Sequence, residues 1–325
     1  MHAMRRMGPS SQRGLALITA VLVVAIVATV AAYLGLAQQV WLRQTQNLSD
    51  RAQAESLRQG ALDWVAMLLA RDAKQNQVDH LGEPWAKQLP PLPAEGGMVA
   101  VSIRDAQGLF NLNNLLLLPD LNNPSGVDID VFKRLLSAQG LDQALAYALL
   151  DWIDANSDKQ TGGAEDTDYL ALPQPYRAAN QLLTSVDELR LVQGFTPEVV
   201  EKLRPYVTAL PERTSINVNT AVGPVLSAMF TSLPGATLQM LLKNRETQPF
   251  TGKDKFQQQL PPGLPLVQAA YDVNTSYFLV TIDVRVGRLQ RRAEALIFRP
   301  QGRPATVRWH RLNVMQPEAG PDEKT

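Results

Sequence analysis

The feature that most constrains this sequence is a run of 23 uncharged residues, Leu15–Ala37, nearly all of them apolar. As a helix at roughly 1.5 Å per residue it reaches about 34 Å, which is enough to cross a hydrocarbon core of about 30 Å. Arg5, Arg6 and Arg13 precede the run, and no basic residue follows it before Arg43. The positive-inside rule therefore predicts a single-pass helix with a cytoplasmic N-terminus and an exported remainder.

A removable secretory signal peptide is the alternative for this segment. Such a peptide has an apolar region of roughly 7–15 residues that ends in a small-residue cleavage site. The run here is longer, and "LGLA" before Gln38 resembles such a site only weakly. A twin-arginine export signal at Arg5–Arg6 finds no support in the residues around it. We therefore predict a retained anchor.

The helical pattern continues past the apolar run. Residues 38–71 contain no proline, and their only glycine is Gly60. Apolar residues recur at helical spacing on one face, at Leu57, Ala61, Trp64, Val65, Leu68 and Leu69. The pattern predicts one helix of more than fifty residues, apolar all round at its start and amphipathic further on. A coiled coil is not expected, because Leu48, Ala52 and Ala54 do not sustain heptads.

Composition excludes many classes of enzyme and metal site. The 325 residues include no cysteine and three scattered histidines, His2, His80 and His310. Disulfides, thiolate metal sites and cysteine nucleophiles are therefore excluded, and a multi-histidine site is not expected. The 31 basic residues equal the 31 acidic ones, whereas proteins that wrap nucleic acid usually carry a basic excess. We predict about two domains and no enzymatic activity.

Beyond the long helix, the pattern changes from strand to helix and back to strand. Alternation predicts a strand from Met98, a hairpin over Ser276–Pro300 and a further strand over Ala305–Val314. Helical spacing predicts the segments Asp128–Gln139, Gln143–Ile153, Ser185–Leu191, Pro197–Tyr206, Ala221–Phe230 and Ala236–Arg245. We therefore predict an α+β fold: the long N-terminal helix packs on an antiparallel sheet built from both ends of the chain, and a large α-helical domain is inserted into that sheet.

The densest chemistry lies in the segment Asp151–Tyr169, which we call the acidic loop. It holds six carboxylates and a single cation, and the carboxylates belong to Asp151, Asp154, Asp158, Glu165, Asp166 and Asp168. Carboxylates gathered so closely repel one another, and a hard divalent cation with six to eight oxygen ligands removes that repulsion. Calcium is favoured over magnesium, which demands a small octahedral cage and retains its waters.

Spacing within the acidic loop resembles part of the EF-hand pattern. Asp154, Asn156 and Asp158 alternate, and Glu165 is the twelfth residue counted from Asp154. Lys159 stands where that pattern needs glycine, and "ALPQPY" follows the loop, so a helix–loop–helix pair is not expected. A solvated acidic loop and a paired-carboxylate glycosidase site are the alternatives.

Three further polar residues have structural roles in our interpretation. Arg177, in "PYRAANQ", is predicted to form an ion pair with the acidic loop. Asn217 and Asn219, in "SINVNT", are predicted to be turn or cap residues, because asparagine side chains bond nearby backbone groups.

The start of the chain resembles the leader of type IV pilin-like proteins, because Gly14 separates a short basic segment from a long apolar helix. The resemblance implies that a prepilin peptidase cleaves after Gly14 and methylates the new N-terminus, Leu15. It also implies that the helix anchors the subunit in the membrane and later packs in a filament core. Thr19 departs from the family, since the major pilins carry glutamate as the fifth residue after the cut; a threonine can bond a helix carbonyl instead.

Later blocks resemble the K-type minor pseudopilins of bacterial type II secretion systems, the general secretion pathway protein K family. The blocks are "DAQGLFNLN", "LLDWIDANSD", "GAEDTDY", "PYRAANQ", "SVDELRLVQG" and "TSINVNTA", in that order. The resemblance implies a helical domain inserted into a pseudopilin sheet, with calcium bound in that domain. It also implies a subunit at the filament tip that joins the I-type and J-type minor pseudopilins, helps to initiate assembly and so supports export of folded proteins across the outer membrane.

The resemblance completes the predicted organisation of the chain. The predicted segments are a leader (1–14), a transmembrane helix (15–37), a periplasmic helix (38–72), a loop with first strands (73–112), the inserted helical domain (113–272), C-terminal strands (273–314) and a disordered tail (315–325). The predicted calcium ligands are Glu165 and Asp166 first, then Asp154 and Asn156, then Asp151, Asp158 and Asp168. Further predicted partners are the H-type and major pseudopilins, the prepilin peptidase and the inner membrane, with no nucleic acid.

A DNA-binding alternative rests on Thr214–Phe250, which resembles a helix-hairpin-helix module. A membrane-anchored DNA receptor of the competence type also combines one N-terminal helix with such a module. The hairpin "LPGATLQ" has Gly235 but lacks a second glycine two residues later, and only Lys243 and Arg245 are close by. Phosphate binding needs several cations, so packed helices explain the segment better.

Overall fold

The computed structural model describes residues 10–94, 96–264 and 270–313. Most of the predicted leader and the whole predicted tail, 315–325, lie outside these ranges. The α-helices are α1 (Ser10–Gln75), α2 (Gly126–Ala138), α3 (Leu145–Ile153), α4 (Asp166–Leu170), α5 (Pro197–Leu203), α6 (Gly223–Ala228), α7 (Gly235–Thr247) and α8 (Lys253–Gln258). Short 3-10 turns occur at Pro84–Ala86, Ala106–Gly108, Leu112–Leu115 and Val186–Leu191.

The strands fall into one main sheet and two short ladders. They are β1 (Leu92–Ala94), β2 (Gly97–Asp105), β3 (Phe110–Asn111), β4 (Val207–Thr208), β5 (Ile216–Asn217), β6 (Tyr271–Asp272), β7 (Tyr277–Val286), β8 (Leu289–Phe298) and β9 (Thr306–Asn313). The main sheet has the order β1-β2-β7-β8-β9, and its neighbouring strands are all antiparallel.

The helix α1 is a single element of 66 residues, as the sequence predicted. Among the described residues it alone is long and apolar enough to cross a membrane, and no other part of the described chain covers its apolar run. Its later part buries Leu62, Val65 and Leu69. The prediction for Trp64 was wrong: it is 36% exposed, because the buried face follows the line through Leu62 and Leu69.

The main sheet joins the two ends of the chain. Strand β2 pairs with β7, for example Val101 with Ile282, although some 180 positions in the sequence separate them. The alternation of β7 places Phe278, Val280 and Ile282 in the core against α1. Burial of such a side chain contributes about 1.5–3 kcal/mol, so the alternation fixes which face covers the helix. This arrangement confirms the predicted fold class.

The helical block leaves the sheet after Asp105 and returns to it at Tyr277, and it has a hydrophobic core of its own. Five predicted helices match α2, α3, α5, α6 and α7 within a few residues, and the sixth is the 3-10 turn Val186–Leu191. The ladders β3–β4 and β5–β6 were not predicted, because strands of two residues have no measurable periodicity. The domain limits at 113 and 272 stay a prediction.

Candidate functional site

The helix α3 carries the first two carboxylates of the acidic loop. Its side chains are nearly all buried in the core of the helical block, and Asp151 is buried among them with no exposed surface. Asp154 directly follows the helix, and its N–H donates to the Leu150 carbonyl. Because Asp151 and Asp154 are three residues apart, their side chains leave the same side of the helix end.

The loop backbone then wraps around the Asp151 carboxylate. The N–H of Gln160 donates to both of its oxygens, at 3.1 and 3.3 Å, and a further contact with the Ala164 N–H offsets part of the rise that burial causes in its pKa. Gly162 adopts a positive φ of 88°. A Cβ at Gly163 would lie 1.9 Å from Asp151 Oδ2, so only glycine allows this close approach.

Glu165 stands at the start of α4 and is 4% exposed. Its N–H donates to Asp168 Oδ2 at 2.9 Å, and Asp168 Oδ1 accepts from Lys159 Nζ at 2.7 Å. The short helix α4 thus ends the acidic loop, and "ALPQPY" after it forms no helix, as the sequence predicted. The lone cation of the loop, Lys159, bonds Asp168 and leaves Glu165 without a cationic partner.

The remaining predicted ligands lie further out. Asp166 accepts from Arg177 at 2.8 Å and from the Ala178 N–H at 3.0 Å, which confirms the predicted ion pair of Arg177. Asn156 Oδ1 accepts from the N–H of Asp158 at 2.7 Å and shapes the turn, while the Asp158 side chain is exposed. The structure therefore separates these outer residues from Asp151, Asp154 and Glu165, which we call the inner carboxylates.

The inner carboxylates carry buried oxygens that no described donor satisfies. Asp154 Oδ1, Glu165 Oε1 and Glu165 Oε2 are buried without a hydrogen-bond partner. Burial raises the pKa of Asp151 and of Asp154 to about 6. Burial raises the pKa of Glu165 to about 7, with a further contribution from the charges of Asp151 and Asp154. Unsatisfied buried acceptors are rare in native proteins and call for a partner such as an ion.

Asn180 is a third residue of this region, after Asp154 and Glu165, with an unsatisfied oxygen, and sequence reasoning missed it. Its N–H donates to the Trp152 carbonyl at 3.0 Å, so its backbone lies against the end of α3 that carries Asp151. Its Oδ1 is buried without a partner, and its φ is 48°, in the region that favours glycine. A non-glycine residue held at positive φ is a signal that only the structure reveals.

A second group of buried carboxylates, Asp72, Asp79 and Glu83, forms what we call the junction cluster at the end of α1. Their ligand atoms lie within 4.8 Å of one another, as they would around a metal ion. Arg299 fills that role, since it donates to Asp72 at 2.8 Å and to both Asp79 oxygens at 2.6 Å. Glu83 accepts from Trp85 Nε1 at 2.7 Å. This cluster therefore needs no metal.

The junction cluster continues into the helical block through Asn217 and Asp105. Asn217 Nδ2 donates to the Asp79 carbonyl at 3.1 Å and to Asp105 Oδ2 at 2.9 Å. The hydroxyls of Thr220 and Thr275 also donate to Asp105 Oδ2, at 2.5 and 2.6 Å. The prediction of a turn or cap role for Asn217 was incomplete: it accepts from the Asn219 N–H in a turn, but its amide also links the segment after α1 and the end of β2 to the helical block.

The helix-hairpin-helix alternative is weakened by the position of Arg245. This residue is 8% exposed, and its guanidinium donates to the Val218 carbonyl at 2.8 Å. Lys243 remains exposed. Arg245, one of the two basic residues that could have bound a phosphate, therefore has a structural role in the core.

A long N-terminal helix on an antiparallel sheet that carries an inserted helical block is the architecture that the resemblance to pseudopilins predicted. The family model described as type II secretion system protein K matches residues 108–212 and, in a second part, 216–274. Among curated relatives, the chain is 38% identical over 289 residues to type II secretion system protein K of Pseudomonas aeruginosa, covering 85% of each chain. It is 31% identical to that of Klebsiella pneumoniae, covering 93% of this chain and 97% of the relative.

A solved structure agrees with these relatives. One chain of the GspK–GspI–GspJ complex from the type 2 secretion system of enterotoxigenic Escherichia coli superposes with a TM-score of 0.73 at 28% identity. The match covers 83% of this chain and 99% of that chain. The chain belongs to the type II secretion system protein K family, which confirms the resemblance found in its sequence.

Proposed function

We propose that this chain caps the tip of the pseudopilus together with I-type and J-type minor pseudopilins. In this role it helps to initiate assembly and so supports export of folded proteins across the outer membrane. The similarity to a chain of the GspK–GspI–GspJ complex supports the choice of partners. The H-type and major pseudopilins would follow it in the filament.

The observation that carries the tip position is Thr19. Its hydroxyl bonds the carbonyls of Leu15 and Ala16, at 3.1 and 3.0 Å, so its hydrogen-bonding capacity is used within its own helix. In related filaments, as the family resemblance implies, a glutamate at this position pairs with the N-terminal ammonium of the subunit ahead. An unpaired charge in an apolar core is costly, so this pairing sets the register. A chain with Thr19 has no carboxylate to pair with the subunit ahead of it in the filament. Its own N-terminal ammonium can still pair with the glutamate of the subunit that follows it.

The tip position has a direct test, because the natural chain contains no cysteine. Ser232→Cys adds a single label in an exposed loop of the helical block. Gold bound there should mark one end of each fibre, whereas labels along the shaft would exclude the tip. The labelled Thr19→Glu variant shows whether the missing carboxylate or the bulk of the helical block restricts the chain to the tip. Label along the shaft would show that Thr19 sets the tip position. Label still at the end would show that the bulk of the helical block sets it.

Processing and anchoring follow from the same proposal. We expect cleavage after Gly14, a methylated Leu15, and a helix that holds the chain in the inner membrane with its C-terminal domain in the periplasm. Mass spectrometry of the native N-terminus tests this expectation. A mature chain that begins near Gln38 would identify the apolar run as an ordinary signal peptide.

We further propose that the acidic loop binds calcium. Its donors are all oxygens, Asp154 and Glu165 hold unsatisfied buried oxygens, and the one cation of the loop, Lys159, bonds Asp168 instead of them. This donor set suits a hard cation. Asp151, Asp154 and Glu165 would hold the ion, with Asn180 and the outer residues Asn156 and Asp158 as further donors. The bound cation would supply the positive charge that the loop lacks.

Calcium binding is tested by the thermal stability of the full chain in detergent. A ligand that binds only the folded state stabilises it by about 2.7 kcal/mol at a hundredfold excess over Kd. Calcium should raise Tm, EGTA should reverse the rise, and magnesium should substitute poorly. Asp154→Asn should blunt the response, while Asp130→Asn, which changes an exposed aspartate on α2, should leave it intact. A Tm indifferent to calcium would refute the site.

A further inference from the structure

The hairpin between β7 and β8 ends in a group of arginines. Arg285 lies near the end of β7, Arg288 lies in the turn, and Arg291 lies early in β8, where it pairs with Val284. Arg285 and Arg288 are exposed, and Arg291 is partly exposed. Among the described residues, none of the three forms an ion pair with a carboxylate. We call these three residues the basic hairpin.

The neighbouring Arg292 shows what a structural arginine looks like at this place. It donates to both oxygens of Asp283, at 2.7 and 3.0 Å, so its charge is neutralised across the two strands. Among the described residues, no carboxylate neutralises the basic hairpin in this way; Arg285 bonds the neutral amide oxygen of Gln290 at 3.2 Å. The charges of the basic hairpin are therefore available to a partner outside the chain.

The fold places the basic hairpin beside the membrane-proximal part of α1. Asp50 Oδ2 lies 3.1 Å from the position that a Cβ would take at Gly287, which is in the turn between β7 and β8. The pKa of Glu55 is lowered chiefly by its hydrogen bond to Arg58, and Arg291 contributes through its charge. The hairpin therefore lies level with positions 50–55 of α1, at the end of the sheet that faces the apolar run.

This level is close to the expected bilayer surface. Trp41 is 61% exposed, and exposed tryptophans at the ends of membrane helices lie at the interface with water. From Trp41 to Asp50 the helix advances about 14 Å. The headgroup layer is roughly 5–8 Å thick on each side, and charges attract across a Debye length of about 8 Å. An anionic surface at Trp41 is thus within electrostatic reach of these side chains.

We propose that the basic hairpin binds phosphate groups of anionic lipids and orients the sheet on the bilayer before the subunit enters a filament. The guanidinium group presents two parallel N–H donors that match the geometry of a phosphate. Lipid phosphates are the anionic groups that the α1 anchor brings nearest to the hairpin. The proposal rests on the proposed membrane anchor. The competing partner, an acidic face of a neighbouring subunit, is an outcome of the test.

The test uses the full chain with one added cysteine, Met98→Cys, on the strand beside Arg285, as the only site for a fluorophore. The chain is reconstituted in vesicles of neutral phosphatidylcholine and in vesicles in which part of this lipid is replaced by anionic phosphatidylglycerol. Lipids that carry a nitroxide on the headgroup report how near the hairpin lies. We expect stronger quenching in the anionic vesicles, and this difference should disappear at high salt.

A charge-neutral variant and a matched control complete the test. A basic residue near an anionic surface favours the bound state by roughly fivefold, so Arg285→Gln, Arg288→Gln and Arg291→Gln together should abolish the difference. The control neutralises three exposed basic residues at the opposite end of the sheet, namely Arg71, Lys74 and Arg303. It should retain the full difference.

Three results would overturn the proposal. Equal quenching in both kinds of vesicle would exclude recognition of anionic lipid, and an equal loss in the control would reduce the effect to overall charge. Protection of the hairpin only after an I-type or J-type partner is added would assign the basic hairpin to a protein contact. Flotation of the vesicles in a density gradient tests the anchor separately. A chain that does not float with neutral vesicles would refute the proposed membrane anchor and not only the binding of anionic lipid.

Discussion

Two groups of carboxylates are buried in this protein, and they differ in how their charge is balanced. In the junction cluster, Arg299 bonds both Asp72 and Asp79, and its guanidinium also lies over the ring of Phe278 at 4.7 Å. In the acidic loop the only cation, Lys159, bonds the outer Asp168 instead of the inner carboxylates. The junction is neutralised within the chain, whereas the inner carboxylates of the loop have no cation bonded to them.

The comparison teaches that proximity of carboxylates is a poor guide to a metal site. The junction cluster has the tighter cluster of potential ligand atoms, yet its oxygens already have donors. The inner carboxylates are the ones with unsatisfied oxygens. Unmet hydrogen-bonding capacity, rather than crowding of charge, is therefore the reason why we propose an ion in the loop and none at the junction.

The most severe way to break the junction is to remove its cation. Arg299→Met should lower the free energy of unfolding by about 3–5 kcal/mol, because Asp72 and Asp79 would be left buried without a partner. Denaturant unfolding of the full chain in detergent measures this loss. Arg303→Met, in an exposed loop, should change stability little. Similar stabilities for the two variants would mean that the junction does not depend on its cation.

In the loop, the sign of a substitution should depend on calcium. Glu165→Gln should lose most of the stabilisation that calcium supplies, about 2.7 kcal/mol at a hundredfold excess over Kd. In EGTA the same substitution should leave Tm unchanged or raise it, since it removes one of three mutually repelling charges. Asp79→Asn, at the junction, should lower Tm in both conditions. If Glu165→Gln changed Tm equally with calcium and with EGTA, the proposed difference between the acidic loop and the junction cluster would be refuted.

A smaller change tests the backbone that holds Asp151. Gly163→Ala places a methyl group where Asp151 Oδ2 now lies, and overpacking of this kind costs about 1–3 kcal/mol. We expect a weaker calcium response as well, because the carboxylate must move. Gly235→Ala is the matched control, since no atom lies within 4 Å of its new Cβ. Equal calcium titrations of the two variants would contradict the wrapped geometry.

A further difference between the two regions is a pH dependence that calcium should change in the loop alone. Burial raises the pKa of Asp151, Asp154 and Glu165 in the folded state, so without calcium the folded protein binds protons more tightly than the unfolded chain. Stability should therefore fall as pH rises from about 4 to about 7. Bound calcium holds these groups ionised and should reverse their contribution.

The junction should keep its own pH dependence when calcium is present. Burial raises the pKa of Asp72 and of Asp105 to about 6, so their contribution to stability also falls as pH rises from about 4 to about 6. Thermal melts across this range, with calcium and with EGTA, separate the two regions. Identical pH profiles in both conditions would show that the loop takes up no calcium.

Much of the candidate site was predictable because it is local. Asp151, Asp154 and Glu165 lie within one short segment, and their crowding alone indicated a cation. The sequence ranked Asp166 beside Glu165, but Arg177 and a backbone N–H occupy Asp166. Which carboxylate turns inward depends on Gly163 and on the orientation of α3 in the core, and neither is visible in spacing.

The long helix, the β7–β8 hairpin, most helices of the inserted block and the acidic loop could be predicted from local sequence, since each depends on a short-range pattern of period or charge. Contacts between distant residues could not: β2 pairs with β7, Arg299 neutralises Asp72 from 227 positions along the chain, and Asn217 links the segment after α1 to the helical block. These contacts arise when burial removes polar groups from water. Each group must then find a donor or an acceptor among whatever residues the fold brings near.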